Sequence, residues 1–394
     1  MNKKTIRDID VQGKKILLRC DFNVPLDKDM NITDNRRIVS SLETIKYLLE
    51  HNAKIIICSH LGRPKGEYKK EFSLEPIAKE LSKLLVKEIK FAQDSIGDSA
   101  KKLTQNMDNR EIILLENVRF YKEEEKNDPE FSKQLADLAE IYVNDAFGSV
   151  HRAHSSTEGV AHYLPAVCGF LIEKEIQYMS NALKDPKRPF VSILGGVKVS
   201  DKIGVIENLL DKIDTLLIGG AMAYTFIKAN GGQIGSSVCE YDKLELAKEI
   251  MSKAEQKNVK LLLPVDTKIS TEYSNEAETQ VVNSYKIPEG WEGLDIGPNT
   301  IDIYSKILSN AKTIIWNGPL GVCEFPKFVL GTQEIAKVVA EADALSIIGG
   351  GDSAAAIEQL GLADKMTHIS TGGGASLEFL EGKSLPGIEC LLNK

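Results

Sequence analysis

The sequence predicts an α/β protein made of two doubly wound parallel-sheet (Rossmann-like) domains joined by a hinge helix, and three observations carry the prediction. Short β-branched runs, each followed by a turn and a helix-period segment, recur along the chain, the βαβ signature of a parallel sheet. At 394 residues the chain exceeds the size at which one hydrophobic core keeps growing. The series of runs also stops near residue 170, at a helical stripe bounded by prolines, and then restarts.

The first series is KKILLRC (14–20), KIIICS (54–59), EIILLE (111–116) and IYVND (141–145). Near-continuous Ile, Leu and Val, rather than alternation, is what a strand buried on both faces requires. Between the first two runs, Arg36-Arg37 opens a helix with core positions Ile38, Leu42, Ile45 and Leu49. The interrupting stripe is LIEKEIQYMSNAL (171–183), with Ile172, Ile176, Met179 and Leu183 on one face, Pro165 before it, and Pro186 and Pro189 after. Its place between two complete β/α series makes it the expected hinge. The second series is FVSILGG (190–196), TLLIGG (215–220), VKLLLPVD (259–266), TIIWNG (313–318), LSIIGG (345–350) and THISTGGG (367–374). Residues 266–300 are polar and irregular, too long for a plain βα loop and too rich in Val, Ile and Trp for disorder, so a hairpin or pocket wall is expected.

Composition narrows the function. With 42% hydrophobic and 27% charged residues the chain is an ordinary globular protein, and a net charge of −8 argues against a nucleic-acid partner. The six cysteines, Cys20, Cys58, Cys168, Cys239, Cys323 and Cys390, are scattered without C-x-x-C spacing, which reads as reduced thiols rather than a metal site. No segment reaches the ~18 uninterrupted apolar residues of a membrane span, and MNKKTIRDID has no apolar stretch behind its charges. A cytoplasmic protein with no membrane partner is expected.

Proteins hold phosphate either with guanidinium forks or with backbone N–H groups at glycine turns. Here the two devices are segregated. Eight of the nine arginines lie between Arg7 and Arg152, whereas every Gly-Gly pair lies beyond residue 190. Ligands of open parallel sheets bind beyond the carboxyl ends of the strands, so the loops after the runs are the candidates. In the glycine half, Gly195-Gly196 leads to Lys198 and Lys202, which share a face if a helix has begun and then reach one polyphosphate. Gly349-Gly350-Gly351-Asp352-Ser353 places a carboxylate at a helix start, as an N-cap or as a Mg²⁺ ligand beside phosphate oxygens. Thr371-Gly372-Gly373-Gly374 opens a further helix whose first amides face an anion. The only G-K-S, Gly382-Lys383-Ser384, has Leu377 where a P-loop needs glycine, and no G-x-G-x-x-G follows a strand. In the arginine half, Arg37, His60, Arg63, Arg119 and Arg152 sit at or after strand ends and together suggest a compact site for a small ligand with phosphate and carboxylate groups. A two-domain dehydrogenase and a two-lobed anion-binding protein are the rival readings at this point, the first weakened by the missing dinucleotide fingerprint.

RCDFNVP, SHLGRP, LENVRF, HRAHSS, ILGGVKVSDKI, IGGAMAYTF, LDIGP, WNGPLGVCEF, GGGDSAAA and STGGGASLE stand in this order and cover nearly the whole chain. In these motifs the sequence resembles the phosphoglycerate kinase family. The resemblance implies reversible transfer of the acyl phosphate of 1,3-bisphosphoglycerate to MgADP, giving 3-phosphoglycerate and MgATP, by a monomer. It implies a glycerate-binding domain over 1–170, with 385–394 returning to it, and a nucleotide-binding domain over 171–384, with 171–183 as the interdomain helix. The glycerate ligand falls to Asp21, Asn23, Arg37, His60, Arg63, Arg119 and Arg152. The nucleotide falls to Gly196, Lys198, Lys202, Gly220, Leu294, Asn317, Pro319, Val322, Glu324, Gly351, Asp352 and Ser353, with Asp352 on Mg²⁺. Arg37, Lys198 and the amides of Gly372, Gly373 and Gly374 are the expected stabilisers of the transferring group. The chain departs from the family's commonest pattern at Val197, Ala221 and Ser353, where alanine, glycine and threonine are usual, and none of these removes a charge.

Overall fold

The structure is a computed structural model that describes residues 2–394. Its contacts divide the chain into two compact units, Met1–Gln177 with Ser384–Lys394, and Tyr178–Lys383.

The first unit holds β1 (Lys15–Arg19), β2 (Lys54–Cys58), β3 (Lys90–Phe91), β4 (Ile112–Leu114), β5 (Ile141–Asn144) and β6 (Ala166–Cys168), in the order β3-β4-β2-β1-β5-β6. All neighbours are parallel, with Ile16 opposite Ile55 and Ile141. Ile16, Leu18, Ile55, Ile57, Ile112, Leu114 and Val143 turn one face of the sheet against Ile38, Ile45, Leu48, Ile77 and Leu81 of the covering helices. Each such side chain contributes roughly 1.5–3 kcal/mol of burial. The helix expected from Arg36 onward is two pieces, Arg36–Ser40 and Leu42–Glu50. Ser40 Oγ bonds back to the carbonyls of Arg36 and Arg37, and Ser41 N–H bonds to Ile38 O three residues back, so the four-residue ladder breaks there. The chain's end lies in this unit: Lys4 N–H donates to Leu392 O at 2.8 Å, and Asn144 Nδ2 to Gly387 O at 3.0 Å.

The second unit's strands are β7 (Phe190–Leu194), β8 (Thr215–Ile218), β9 (Gln233–Ile234), β10 (Lys260–Leu262), β11 (Asp266–Ser270), β12 (Thr279–Asn283), β13 (Lys286–Ile287), β14 (Glu292–Ile296), β15 (Thr313–Asn317), β16 (Leu345–Gly349) and β17 (His368–Ile369). Six form a second parallel sheet, β10-β8-β7-β15-β16-β17. Its direction of growth reverses between β7 and β15, and in such sheets the crevice at the reversal is where ligands bind. Val191, Ile193, Ile314 and Trp316 pack one face against Tyr304, Leu308 and Ile335, while Phe190, Leu194, Leu216 and Ile315 pack the other against Val205, Leu209 and Phe226. Residues 266–300 contain the expected hairpin: β11 pairs antiparallel with β12 and with β14. The helix Phe170–Lys184 carries the chain from one unit to the next, with Ile172, Ile176 and Met179 buried.

Candidate functional site

In the second unit, the loops after β7, β8 and β15 are locked together by backbone hydrogen bonds. Gly195 N–H donates to Asn317 O (2.9 Å), Gly196 to Pro319 O (3.0 Å), Gly219 to Leu194 O (2.9 Å) and Gly220 to Leu320 O (3.0 Å). A Cβ on Gly195 would sit 2.1 Å from Pro319 O, and one on Gly220, where φ is +65°, 2.6 Å from Gly196 N. These glycines allow close backbone approach, and their amides are committed to the carbonyls of neighbouring strand ends and loops rather than offered to a ligand. The expectation that paired glycines cradle phosphate with their amides therefore fails at these two pairs.

What the lock creates is a cavity of about 620 Å³ lined by Gly196, Lys198, Lys202, Gly220, Leu294, Asn317, Pro319, Val322, Glu324, Gly351, Asp352 and Ser353, with Gly373 and Gly374. Gly372 turns its N–H onto Ser370 Oγ at 3.2 Å, whereas the first amides of the helix Gly374–Leu380 have no intrahelical acceptor. Lys198 and Lys202 do not share a helical face, because the chain bends through 196–199 and makes only a 3₁₀ turn at Ser200–Lys202. Lys198 is exposed in the cavity wall, and Lys202 reaches inward to donate to Asn317 Oδ1. Burial lowers the Lys202 pKa, partly offset by Asp201 and Asp352.

Lysine only donates, so the oxygen of the Asn317 amide is the end that meets it. Asn317 Nδ2 is buried without a hydrogen-bond partner, and such a donor costs ~1–3 kcal/mol until an acceptor arrives. Asp352 lies in the first turn of the helix Gly351–Gln359, whose N-cap is Gly350 at φ +88°, so it is not the cap. Ser353, fully buried, accepts the Gly318 N–H at 2.8 Å and so ties this helix to the loop after β15. Sequence reasoning missed Tyr224, Val238, Tyr273 and Glu292 in the cavity wall. Tyr273, exposed between β11 and β12 and set edge-on to Phe325 at 4.8 Å, left one signal, an aromatic in a polar segment.

In the first unit the residues after β1, β2 and β4 build a cationic cluster. Arg37 Nη1 donates to Asp21 Oδ1 at 2.8 Å, Ser149 Oγ to Asp21 Oδ2 at 3.2 Å, and Gly62 N–H to Asn23 Oδ1 at 2.8 Å. Arg119, nearly buried, donates to Gly62 O at 2.9 Å, and Arg152 Nε to His151 Nε2 at 3.1 Å. Arg63 follows Gly62 and is exposed. Arg19, the first residue of RCDFNVP and unassigned from sequence, is buried at the centre with Nη2 3.0 Å from His60 Nδ1.

The electrostatics follow from this crowding. Burial would raise the Asp21 carboxyl, but the charges of Arg37 and Arg19 and the Asn23 N–H hold it below its ordinary value. Burial and the neighbouring Arg19 push the Arg119 guanidinium down to about 10. Burial, with Arg119, Arg19 and Arg152, pushes His154 down to about 3. So many cations facing few carboxylates make a pocket prepared for an anion.

The model of the family described as phosphoglycerate kinase matches residues 6–383. Phosphoglycerate kinases of Clostridium tetani and Clostridium perfringens are 59% and 60% identical over 396 aligned residues, covering 100% of this chain and 98% and 99% of theirs. The solved structure of phosphoglycerate kinase from Coxiella burnetii superposes with a TM-score of 0.89 at 44% identity, and that from Pyrococcus horikoshii OT3 with 0.86 at 34%, each over 98% of both chains. With two parallel sheets, a cavity at one topological reversal, a cationic cluster in the other unit and similarity along its whole length, this chain belongs to the phosphoglycerate kinase family.

Proposed function

We propose that the second unit's cavity holds ADP or ATP, that the first unit's cationic cluster holds 3-phosphoglycerate or 1,3-bisphosphoglycerate, and that the phosphoryl group passes directly between them in line. The observation that carries the reading is a buried donor without an acceptor among cations in one cavity: the Asn317 amide Nδ2, with Lys202 held on the same amide's oxygen and Lys198 exposed in the same wall. Phosphate oxygens supply what these groups lack.

No general base is needed, because the attacking atom is an anionic phosphate oxygen in one direction and a carboxylate oxygen in the other. The protein's task is positioning and positive charge. Lys198, Arg37 and the amides of Gly373 and Gly374 are assigned to the equatorial oxygens of the transferring group, with Gly372 reduced to shaping the turn. Among the described residues no group of three or more His, Cys, Asp or Glu could hold a metal alone. Of the cavity-wall carboxylates Asp201, Glu292, Glu324 and Asp352, Asp352 follows the glycines at the start of its helix and would hold a Mg²⁺ brought in on nucleotide phosphates, which would neutralise their charge.

In-line transfer needs reacting atoms ~3–3.5 Å apart, so ligands held by different units require closure during turnover, with the helix Phe170–Lys184 as the hinge. Closure also keeps water from the acyl phosphate. The same reading has the enzyme act as a cytoplasmic monomer.

The test is ATP formation from ADP and 1,3-bisphosphoglycerate, with Mg²⁺ and without nicotinamide. Binding of both ligands without turnover would leave a binding protein, and nicotinamide-dependent absorbance change would revive the dehydrogenase.

A further inference from the structure

We propose that Arg19 is a positioning residue that locks His60 as the neutral tautomer carrying its proton on Nε2, so that His60 meets the anionic ligand as an N–H donor and not as a cation. The inference deepens the assignment of this cluster to the glycerate ligand and rests on it for the ligand's identity alone.

The geometry leaves one arrangement. Arg19 Nη2 lies 3.0 Å from His60 Nδ1. A guanidinium only donates and stays protonated at any working pH, so Nδ1 has to present its lone pair. A neutral imidazole whose Nδ1 accepts carries its proton on Nε2. Imidazolium would set N–H against N–H across the same contact.

Arg19 cannot turn away to relieve that opposition. Its Nε donates to Ser156 Oγ at 2.8 Å, and its Nη1 donates to the Cys20 carbonyl. Ser156 is held in turn, its Oγ donating to Glu124 Oε1 at 2.6 Å and its N–H to Glu124 Oε2 at 2.9 Å, and Glu124 is fully buried. Nε and Nη1 are therefore anchored in a desolvated site, which fixes Nη2 against His60 Nδ1.

The groups facing the ring are Asp21 from the loop after β1, Arg19 at the end of β1, Arg119 from the turn after β4 and Arg37 from the helix Arg36–Ser40. Asp21 is the one carboxylate among them, and it already accepts from Arg37, Ser149 and Asn23 N–H. Burial, with three arginines against that carboxylate, holds the imidazole well below its usual range. A neutral donor adds a directed hydrogen bond to a carboxylate or phosphate without the cost of desolvating another charge. Binding through it does not titrate near neutrality.

The tautomer is read by long-range ¹H–¹⁵N correlation on the full-length protein labelled with ¹⁵N-histidine, the His60 signals being identified by their loss in His60→Asn. The expected pattern at neutral pH, without substrate, is a protonated Nε2 and an unprotonated Nδ1, unchanged down to about pH 5. An Nδ1–H tautomer or an imidazolium at neutral pH overturns the proposal. In Arg19→Met the ring should begin to titrate between about pH 5 and 8, and the KM for 3-phosphoglycerate should become pH-dependent, while the KM for ATP moves less than about twofold. Arg19→Lys, which keeps a donor-only cation, should restore the Nε2–H pattern. An Arg19→Met protein that melts as the wild type does and keeps both a non-titrating His60 and a pH-independent KM also overturns it. Because the tautomer is read without turnover, loss of the proposed reaction and loss of this proposal are separate results.

Discussion

Lys202 and Asn317 hold each other across the cavity floor of the second unit, and the pairing decides which end of the amide is left over. The leftover end is Nδ2, buried and without an acceptor. Asn317→Asp keeps the shape and the contact to Lys202 but replaces that donor with a second oxygen. A carboxylate facing a nucleotide phosphate should raise the KM for ATP by ~10–100-fold, or ~1.4–2.7 kcal/mol, with the KM for 3-phosphoglycerate little changed. Steady-state kinetics with each substrate varied in turn check it, and an equal rise in both constants would remove Asn317 from the nucleotide site.

Lys198 is exposed in the same wall and is assigned to charge that develops in transfer. Lys198→Ala should lower kcat by ~10²–10³, or ~3–4 kcal/mol of transition-state stabilisation, and leave ADP binding largely intact. Calorimetric titration of ADP beside the kinetics separates the two. An unchanged kcat defeats the assignment.

Arg63 stands exposed after Gly62, the residue whose N–H and carbonyl join Asn23 to Arg119. Arg63→Ala should therefore weaken 3-phosphoglycerate binding without disturbing the buried part of the cluster, at a cost of roughly 1.5–3 kcal/mol for a lost charge-assisted bond. The KM for 3-phosphoglycerate reports it. A loss of nucleotide affinity alone would reverse the division of ligands between the units.

Gly195 separates packing glycines from the rest. Its Cβ would fall 2.1 Å from Pro319 O and 2.7 Å from Gly318 O, backbone atoms that cannot swing aside. Gly195→Ala should push apart the loops after β7 and β15, lower stability by ~1–3 kcal/mol and weaken nucleotide binding. Gly351 has nothing within 4 Å of its Cβ position, so Gly351→Ala should leave stability unchanged or slightly raised. Denaturant melts of the two variants test the contrast, and equal melts would mean the loops yield freely.

The contrast also marks how far the chain could be read without coordinates. Central strands such as β1, β7 and β15 announce themselves because burial on both faces demands unbroken apolar runs. β3, β6 and β9, two or three residues long, are too short to show any period. Gly-Gly clusters at strand ends were visible, yet a glycine that bares its amide and one that admits a neighbouring backbone look alike in sequence. Four-residue spacing puts Lys198 and Lys202 on one face only if a helix has begun, and the bend at 196–199 with the 3₁₀ turn after it shows that none has. Arg19 carries no site signal in the sequence, because a strand's last residue reads as part of the strand. Its meaning lies in a contact with His60, 41 positions away.

Asp145 gives a stability prediction whose sign differs from that of a salt-bridged carboxylate. It is fully buried after β5, its Oδ1 accepts the N–H groups of Leu171 (2.9 Å) and Ile172 (3.4 Å) at the start of the helix Phe170–Lys184, and its Oδ2 has no partner. Burial, only partly offset by the nearby Thr44 hydroxyl and those N–H donors, pushes its carboxyl up to about 7. The native state then keeps a proton that the unfolded chain releases near its ordinary value of ~3.9. Since the native state binds more protons, the contribution of Asp145 to stability is complete below about pH 4 and is lost as the pH rises through about 7. Asp145→Asn keeps the Oδ1 acceptor, puts an N–H where the acid carries its O–H, and removes the ionisation. The stability of the variant relative to wild type should therefore be near its minimum at pH ~4 and climb with pH, to a gain on the order of 3–4 kcal/mol at most above neutrality. Urea melts of both proteins across that range test it. Asp295, also pushed up to about 7 by burial, shapes both curves alike and cancels in the difference, so a difference that stays flat with pH would show that Asp145 ionises at little cost.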